Sequence, residues 1–285
     1  MIGRHLCDRF RRRGWAVRAL MRRPDEYPFR ESGIERFHLD LPTDVDARAF
    51  SGATALVHAA YATRVAANAD ARGVNETGSA LLFDAARAAR VERIVFLSSF
   101  SAATGAPSYY AASKTRVETM LDARSDLVAR VGLVLAPDGG VAHRLWRTIA
   151  RWHLAPVFDG GRQIVQTIHI DDLTQALVRA IELRVSGRVA LAEPVGQEMR
   201  TLLRAMATAI GASCLLLPVP SRATLFAVRT LERLGIQAPV SGDNIIGLVA
   251  LRHVDTGPDL RRLGIDVRSA AESVAQIAAE MQALP

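Results

Sequence analysis

The stretch IVFLSS (Ile94–Ser99), followed ten residues later by YAASK (Tyr110–Lys114), decides the fold class of this chain. Its first half is a short apolar run that ends in two serines, as expected of a buried strand with a turn behind it. Its second half lies in a predicted helix. A strand followed after a short connection by a helix indicates one step of an alternating α/β chain.

The same alternation continues on both sides of this stretch and predicts a parallel sheet with helices on both faces. After about Leu133 the rhythm breaks, and the remainder is typical of a second, smaller lobe. Predicted helices are Gly3–Arg13, Asn75–Ala89, Tyr109 to about Arg124, and Asp172–Glu182; predicted strands are Trp15–Met21, Ile34–Leu41, Ala53–Ala59, Ile94–Leu97, Leu127–Val131 and Gly187–Ala192.

Composition limits the classes of protein to consider. The 285 residues are 49% apolar, which suffices for a large core. The sequence contains no apolar run of the ~18 residues needed to span a membrane. Cys7 and Cys214 lie far apart and predict no disulfide framework. No signal peptide follows Met1, so we expect a cytoplasmic protein. We also expect a small-molecule substrate and allow a homodimer.

The net charge of +7 raises the question of nucleic-acid binding. The arginines are spread over the whole chain, and aromatic residues make up only 6% of it. A basic stripe interleaved with aromatics, the usual nucleic-acid footprint, is absent from the sequence. We therefore expect no nucleic-acid partner.

Lys114 is the one lysine among 36 Lys and Arg residues, and it lies four residues after Tyr110. Residues four apart share one helix face. Lowering the pKa of a tyrosine from ~10 to ~7 requires about 4 kcal/mol. One charge at ~4 Å supplies about 4 kcal/mol at an effective dielectric of ~20. The pair is thus a candidate acid/base, and the alternative is a surface helix with chance spacing.

Several segments together resemble the extended short-chain dehydrogenase/reductase superfamily of the NAD-dependent epimerase/dehydratase type. The similar segments are Gly3–Leu6 as the end of a dinucleotide loop, His58–Ala60, Asn75 with Gly78, Ser98–Ser99 before Tyr110 and Lys114, and Ile168–Leu173. Pro218 to Asp243 and Leu263–Ile265 are similar to atypical members related to a respiratory complex I accessory subunit.

The resemblance implies a doubly wound (Rossmann) fold and an NAD(P)-dependent oxidoreductase or epimerase acting on a hydroxyl or ketone carbon of a sugar or other small molecule. It places the dinucleotide domain at residues 1–133 with about 172–193, and the substrate lobe at 134–171 with 194–285. A scaffold or assembly factor without turnover, a redox sensor and a nucleotide-sugar epimerase or dehydratase remain alternatives.

The resemblance also implies the site residues. Tyr110 is the expected acid/base, Lys114 its pKa depressor and a donor to the cofactor ribose, and Ser99 the group that orients the substrate oxygen; Ser98 or Ser101 is the alternative. Expected cofactor contacts are Gly3, Arg22, Arg23, Asp40, Leu41, His58, Ala59, Ala60, Asn75, Ser98 and Lys114. Arg22 and Arg23 follow a predicted strand, where arginine suits the 2′-phosphate, and this favours NADP over NAD.

Other polar residues allow weaker interpretations. Asp171 and Asp172 form an acidic pair, but we expect Asp171 to cap the next helix. His169 and His58 are expected to be structural rather than catalytic. Arg147, Arg151 and Arg162 are candidates for an anionic substrate, or simply solvated. No Cys/His cluster has the spacing of a metal site.

Two departures from the family pattern affect these expectations. Leu133 occupies the position where nucleotide-sugar enzymes usually have an asparagine, which argues against a nucleotide-sugar substrate. The first strand and the first two glycines of the dinucleotide loop do not precede Gly3. We therefore expect Met1 to be an internal methionine, with an apolar strand and a glycine-rich turn encoded in frame upstream.

Overall fold

The computed structural model describes residues 1–26, 29, 31–62, 72–103, 105, 108–233 and 242–282. Its helices are α1 Ile2–Arg12, α2 Gly78–Ala88, α3 Phe100–Ala103, α4 Tyr109–Glu118, α5 Gly140–Trp152, α6 Ile170–Glu182, α7 Met199–Ala209, α8 Ser221–Arg233, α9 Gly242–Val249, α10 Gly257–Leu263 and α11 Ala270–Gln282. Its strands are β1 Arg18–Met21, β2 Glu35–Asp40, β3 Asp44–Val45, β4 Ala55–His58, β5 Arg93–Ser99, β6 Leu127–Val131, β7 Leu133–Leu135, β8 Leu154–Phe158, β9 Ile164–Val165, β10 Thr167–His169, β11 Gly187–Leu191, β12 Gln197–Glu198 and β13 Leu215–Val219.

The chain divides into two compact units. The first comprises Met1–Ser98, Ser113–Ala129 and Thr174–Val189. It contains a three-stranded sheet in the order β1-β2-β3 and most of a four-stranded sheet in the order β11-β6-β5-β4. The pairs β1–β2 and β4–β5 are parallel, which confirms the predicted α/β class. Among the described residues no strand joins β1 to β4.

The core of the first unit forms where helix α2 packs on the sheet. Phe50, Leu82, Ile94 and Phe96 are almost completely buried, and Val117 of α4 joins them. The apolar run from Ile94 is buried on both faces of β5, which explains why it lacks the alternation of a half-exposed strand. Burying each of these large side chains contributes about 1.5–3 kcal/mol of hydrophobic free energy.

The second unit comprises Ser99–Ala112, Arg130–Leu173 and Ala190–Pro285. Two short parallel pairs, β7–β10 and β8–β13, carry its core together with α5, α7 and α11. Trp146 lies at the centre of this core and donates from Nε1 to the carbonyl of Met206 at 3.2 Å. The assignment of the two units to dinucleotide and substrate stays a prediction.

Several element boundaries differ from the predicted ones, and two of them have a physical cause in the structure. Strand β1 begins at Arg18 and not at Trp15, because the Trp15 amide closes the end of α1 on the carbonyl of Phe10 and its ring packs edge-on against that of Phe10. Helix α4 ends at Glu118 and not near Arg124, since the chain turns there toward Asp126. Part of the Pro218–Asp243 segment, residues 234–241, lies outside the described residues.

Within the described part of the chain, no helix combines the length and apolar character needed to cross a bilayer.

Asp126 holds the turn between α4 and β6. Its carboxylate is buried and accepts hydrogen bonds from the amides of Ile94, at 2.8 Å, and Asp122, at 3.0 Å. Arg87 donates to the same carboxylate. One buried charge therefore ties α2, β5 and the end of α4 together, in the first unit.

We expect Asp126→Asn to lower the free energy of unfolding by about 2–3 kcal/mol, because the amide nitrogen cannot accept a bond and leaves a buried donor unsatisfied. Urea denaturation followed by circular dichroism measures this loss. Asp84→Asn is the matched control, since Asp84 is exposed on α2 of the same unit. Equal midpoints for the two variants would contradict the role given to Asp126.

Candidate active site

Lys114 is almost fully buried in the first unit, with 5% of its surface exposed. Its Nζ donates to the carbonyl of Leu97 at 2.6 Å and lies over the rings of Tyr61 and Phe96, at 4.3 and 4.5 Å from their centroids. Burial lowers the pKa of Lys114 to about 7, against an opposing contribution from Glu118. The Lys114 side chain can therefore exchange between its ammonium and amine forms near neutral pH.

Ser98 lies in the first unit and its hydroxyl donates to the carboxylate of Glu118. Both side chains are buried. Ser98 was expected to contact the cofactor, and its hydroxyl is instead engaged by Glu118. The cofactor contact of Ser98 stays a prediction.

His58 and Asn75 are fixed by hydrogen bonds inside the first unit. His58 Nε2 is 2.9 Å from the hydroxyl of Ser79, and its ring stacks on Phe96 at 5.6 Å. Burial, and then the charge of Lys114, lower the pKa of His58 to about 3, so it is neutral at physiological pH. Asn75 bonds both the amide and the carbonyl of Ala62, which fixes the chain shortly after Ala59 and Ala60.

The other expected cofactor residues lie near the ends of elements in the first unit. Gly3 is exposed in the first turn of α1, where an added Cβ would meet nothing within 4 Å. Arg22 follows β1 directly, and Arg23 beside it pairs with Glu26 at 2.9 Å. Asp40 ends β2 and is exposed, whereas Leu41 packs so closely on Gly78 that a Cβ there would lie 2.7 Å away. These positions stay predictions as cofactor contacts.

Tyr110 and Ser99 belong to the second unit, where their side chains are hydrogen-bonded to each other. The Ser99 hydroxyl also accepts from the amide of Ser101 at 3.2 Å. Of the serines weighed from the sequence, Ser99 is thus the one held against Tyr110. Ser101 itself is buried, and its amide is the donor to Ser99.

Burial raises the pKa of Tyr110 above its ordinary value, and the hydrogen bond with Ser99 opposes this rise. The direction is opposite to the lowered pKa expected from the sequence. The reason is that desolvation of a phenolate outweighs favourable interactions when the hydroxyl is buried. At neutral pH Tyr110 therefore carries its proton.

The start of helix α4 is held by two polar side chains of the second unit. Ser108 accepts from the amide of Ala111 at 3.1 Å, as an N-cap does. The carboxylate of Asp243 accepts from the amides of Tyr109, at 3.1 Å, and Tyr110, at 3.3 Å. These amides would otherwise lack partners, because the first turn of a helix has none. Asp243 therefore positions Tyr110, a role that the sequence did not predict.

The expected cap at Asp171 is wrong. Helix α6 begins at Ile170, one residue before it, and the ring of His169 takes the capping role by accepting from the amide of Asp171 at 3.2 Å. Asp172 pairs with Arg268 instead of forming an acid pair or metal site. Burial lowers the pKa of His169, and its expected structural role stays a prediction.

The arginines considered for an anionic substrate are exposed in the second unit. Arg147 and Arg151 lie on α5, and Arg162 follows the turn after β8. Arg151 lies 5.3 Å from the ring centroid of Trp152. Among the described residues, His, Cys, Asp and Glu side chains do not gather in threes around a point that would hold a metal ion.

Comparison of the sequence with known proteins identifies a family and a relative. The model of the NAD dependent epimerase/dehydratase family matches residues 1–191. A relative named ceramide reductase, from Caulobacter vibrioides, is 30% identical over 233 residues, which are 79% of this chain and 73% of the relative.

Solved structures share the fold. UDP-glucose 4-epimerase from Thermotoga maritima, solved with UDP-glucose, has a TM-score of 0.75 at 16% identity and covers 99% of this chain and 96% of its own. An enzyme of Bordetella bronchiseptica solved with NAD+ has a TM-score of 0.71 at 15% identity, over 100% and 95% of the two chains. The likeness confirms the predicted doubly wound fold.

We expect Asp243→Ala to lower the stability of the second unit by about 1–2 kcal/mol, since two amides at a helix start lose their acceptor. Hydrogen exchange at the amides of Tyr109 and Tyr110 should speed up in the variant. Asp255→Ala is the control, because that carboxylate accepts only an exposed amide, that of Gly257. Unchanged exchange in Asp243→Ala would show that other groups hold the start of α4.

Proposed function

Because the chain belongs to the NAD-dependent epimerase/dehydratase family, we propose that it is a reductase in which Tyr110 gives the proton to a ketone oxygen. The observation that carries the proposal is the hydrogen bond between Tyr110 and Ser99. Tyr110 keeps its proton at neutral pH and can give it to an oxygen, as reduction requires. The relative of 30% identity is named a reductase.

The described residues fit a nicotinamide dinucleotide. The first turn of α1 at Gly3 is open to close approach, and helix starts favour phosphate. The segment from Ala59 to Ala62 is fixed by Asn75 and follows a strand end, where such ligands bind. When bound, the nicotinamide supplies or accepts the hydride.

The protein's own residues manage the proton and the substrate oxygen. Ser99 donates to the oxygen and orients it, while Tyr110 releases its proton as charge develops there. Lys114, one helix turn along, supplies a compact positive charge and can take part in a relay because its pKa lies near 7. General acid catalysis of this kind contributes about 10²–10⁴-fold to a rate.

For the substrate, we propose a ketone on an apolar, lipid-like molecule rather than a nucleotide sugar. Leu133 lies on β7 and packs on the apolar core of the second unit, in the place of the amide that would meet a diphosphate. The relative of 30% identity is named as a reductase of a lipid, ceramide. Likeness to nucleotide-sugar enzymes and complexes rests on 15–20% identity and concerns the fold.

A substrate screen that follows nicotinamide absorbance tests this proposal. Ketone-bearing long-chain amides presented in detergent should support oxidation of the reduced dinucleotide, whereas UDP-glucose and UDP-galactose should not. Interconversion of the two UDP sugars without turnover of the amides would overturn the proposed substrate class and favour an epimerase.

We expect Tyr110→Phe to reduce turnover at least ~10²-fold while leaving dinucleotide affinity little changed, because only the transferable proton is removed. Tyr109→Phe is the matched control on the same helix, and it should keep near wild-type turnover. Lys114→Arg should also lose activity, since the guanidinium fork cannot replace a compact ammonium that titrates. Full turnover by Tyr110→Phe on a verified substrate would refute the acid role.

We further propose that NADP binds more tightly than NAD, on the basis of Arg22 and Arg23. Replacing both by alanine should remove most of the difference between the two dissociation constants, because the 2′-phosphate would lose its cations. Calorimetry with each dinucleotide measures the effect. The double variant Arg48→Ala with Arg124→Ala removes two exposed charges from the same unit and serves as control. Equal affinities in the unmutated protein would contradict the preference.

A further inference from the structure

Glu118 is a buried acidic residue for which the reaction described above has no task. It lies one helix turn after Lys114 on α4, and its side chain is 1% exposed. The hydroxyl of Ser98 donates to Oε1, and Nε of Arg188 lies 3.8 Å from Oε2. Withdrawing a carboxylate from water costs several kcal/mol, so its burial calls for a compensating interaction.

Lys114 supplies that interaction. Its ammonium and the Glu118 carboxylate project from adjacent turns of α4 toward the same end of β5. Leu97 accepts from the lysine, and the next residue, Ser98, donates to the glutamate. The other close neighbours of the ammonium, the rings of Tyr61 and Phe96, carry no net charge. Glu118 is therefore the acidic group among these neighbours.

We propose that Glu118 is a positioning residue whose buried carboxylate, fixed by Ser98 and Arg188, keeps Lys114 charged and directed along β5. The inference rests on the proposed function only where it makes Lys114 serve Tyr110. Burial opposes the charged form of Lys114, and Glu118 supports it. Without the carboxylate, the lysine would lose its proton at a lower pH than it does in the wild type.

Among the described residues, the side chains near Lys114 or Glu118 include those of His58, Tyr61, Phe96 and Arg188. The charge of Lys114 acts on His58 of β4, whose pKa of about 3 keeps it neutral throughout the range of interest. Tyr61 and Phe96 border the ammonium. Arg188 on β11 borders the carboxylate and is 65% exposed.

The single lysine allows a direct test. Protein grown with lysine labelled at ¹³Cε gives one side-chain signal, and its shift against pH reports the titration of Lys114 without any substrate. We expect a midpoint near 7 in the wild type and a midpoint lower by at least ~1 pH unit in Glu118→Gln, because an opposite charge within reach shifts a pKa by about 1–3 units. Glu92→Gln, an exposed carboxylate of the same unit, should leave the midpoint unchanged.

A folded Glu118→Gln variant with the wild-type midpoint would overturn the inference. If that variant does not fold, Glu118→Asp takes its place, since the shorter side chain keeps the charge but cannot reach Ser98 from the same backbone position. Its midpoint should also fall, and an unchanged midpoint would equally overturn the inference. Failure of the substrate screen would count against the proposed reaction and leave this titration untouched.

Discussion

The burial of one ammonium group governs the arrangement of side chains in the first unit. Lys114 is withdrawn from water. Among the described residues its ammonium meets the carbonyl of Leu97 and the rings of Tyr61 and Phe96, and the charge of Glu118 acts on it. Because a buried charge without such neighbours costs several kcal/mol, these side chains depend on one another. The stacked ring of His58 remains neutral for the same reason.

In the second unit a different constraint acts on the same helix. The amides at the start of α4 require acceptors, and Ser108 and Asp243 provide them. The position of Tyr110 therefore follows from where its helix is allowed to begin. Its hydroxyl is then held by Ser99, and desolvation keeps it protonated.

Much of this was accessible from the sequence because the relevant signals are local. The apolar run at Ile94 identified β5, and the four-residue spacing of Tyr110 and Lys114 identified a helix with two functional groups on one face. The strand from Leu127 to Val131 has its predicted bounds.

The contacts that the sequence did not predict join residues that are distant along the chain. Asp243 meets Tyr109 across 134 residues, and Ser98 meets Glu118 across 20, so spacing alone reveals neither contact. The four-residue interval between Lys114 and Glu118 could have indicated their proximity, because residues four apart lie on one face of a helix. His169 displaced the expected cap at Asp171 because a buried ring nitrogen can accept the same amide hydrogen, which propensity tables for caps do not include.

A chain with one lysine also has one side-chain amine for chemical modification. Ordinary lysines, with a pKa near ~10.4, are almost entirely protonated at neutral pH and react slowly with electrophiles. Lys114, with its pKa lowered to about 7, holds a large unprotonated fraction there, yet its burial shields it from reagents. Intrinsic nucleophilicity and steric protection thus oppose each other at a single atom, Nζ. The rate at which an amine reagent of chosen size acylates this protein becomes a measure of how often the interior around β5 opens.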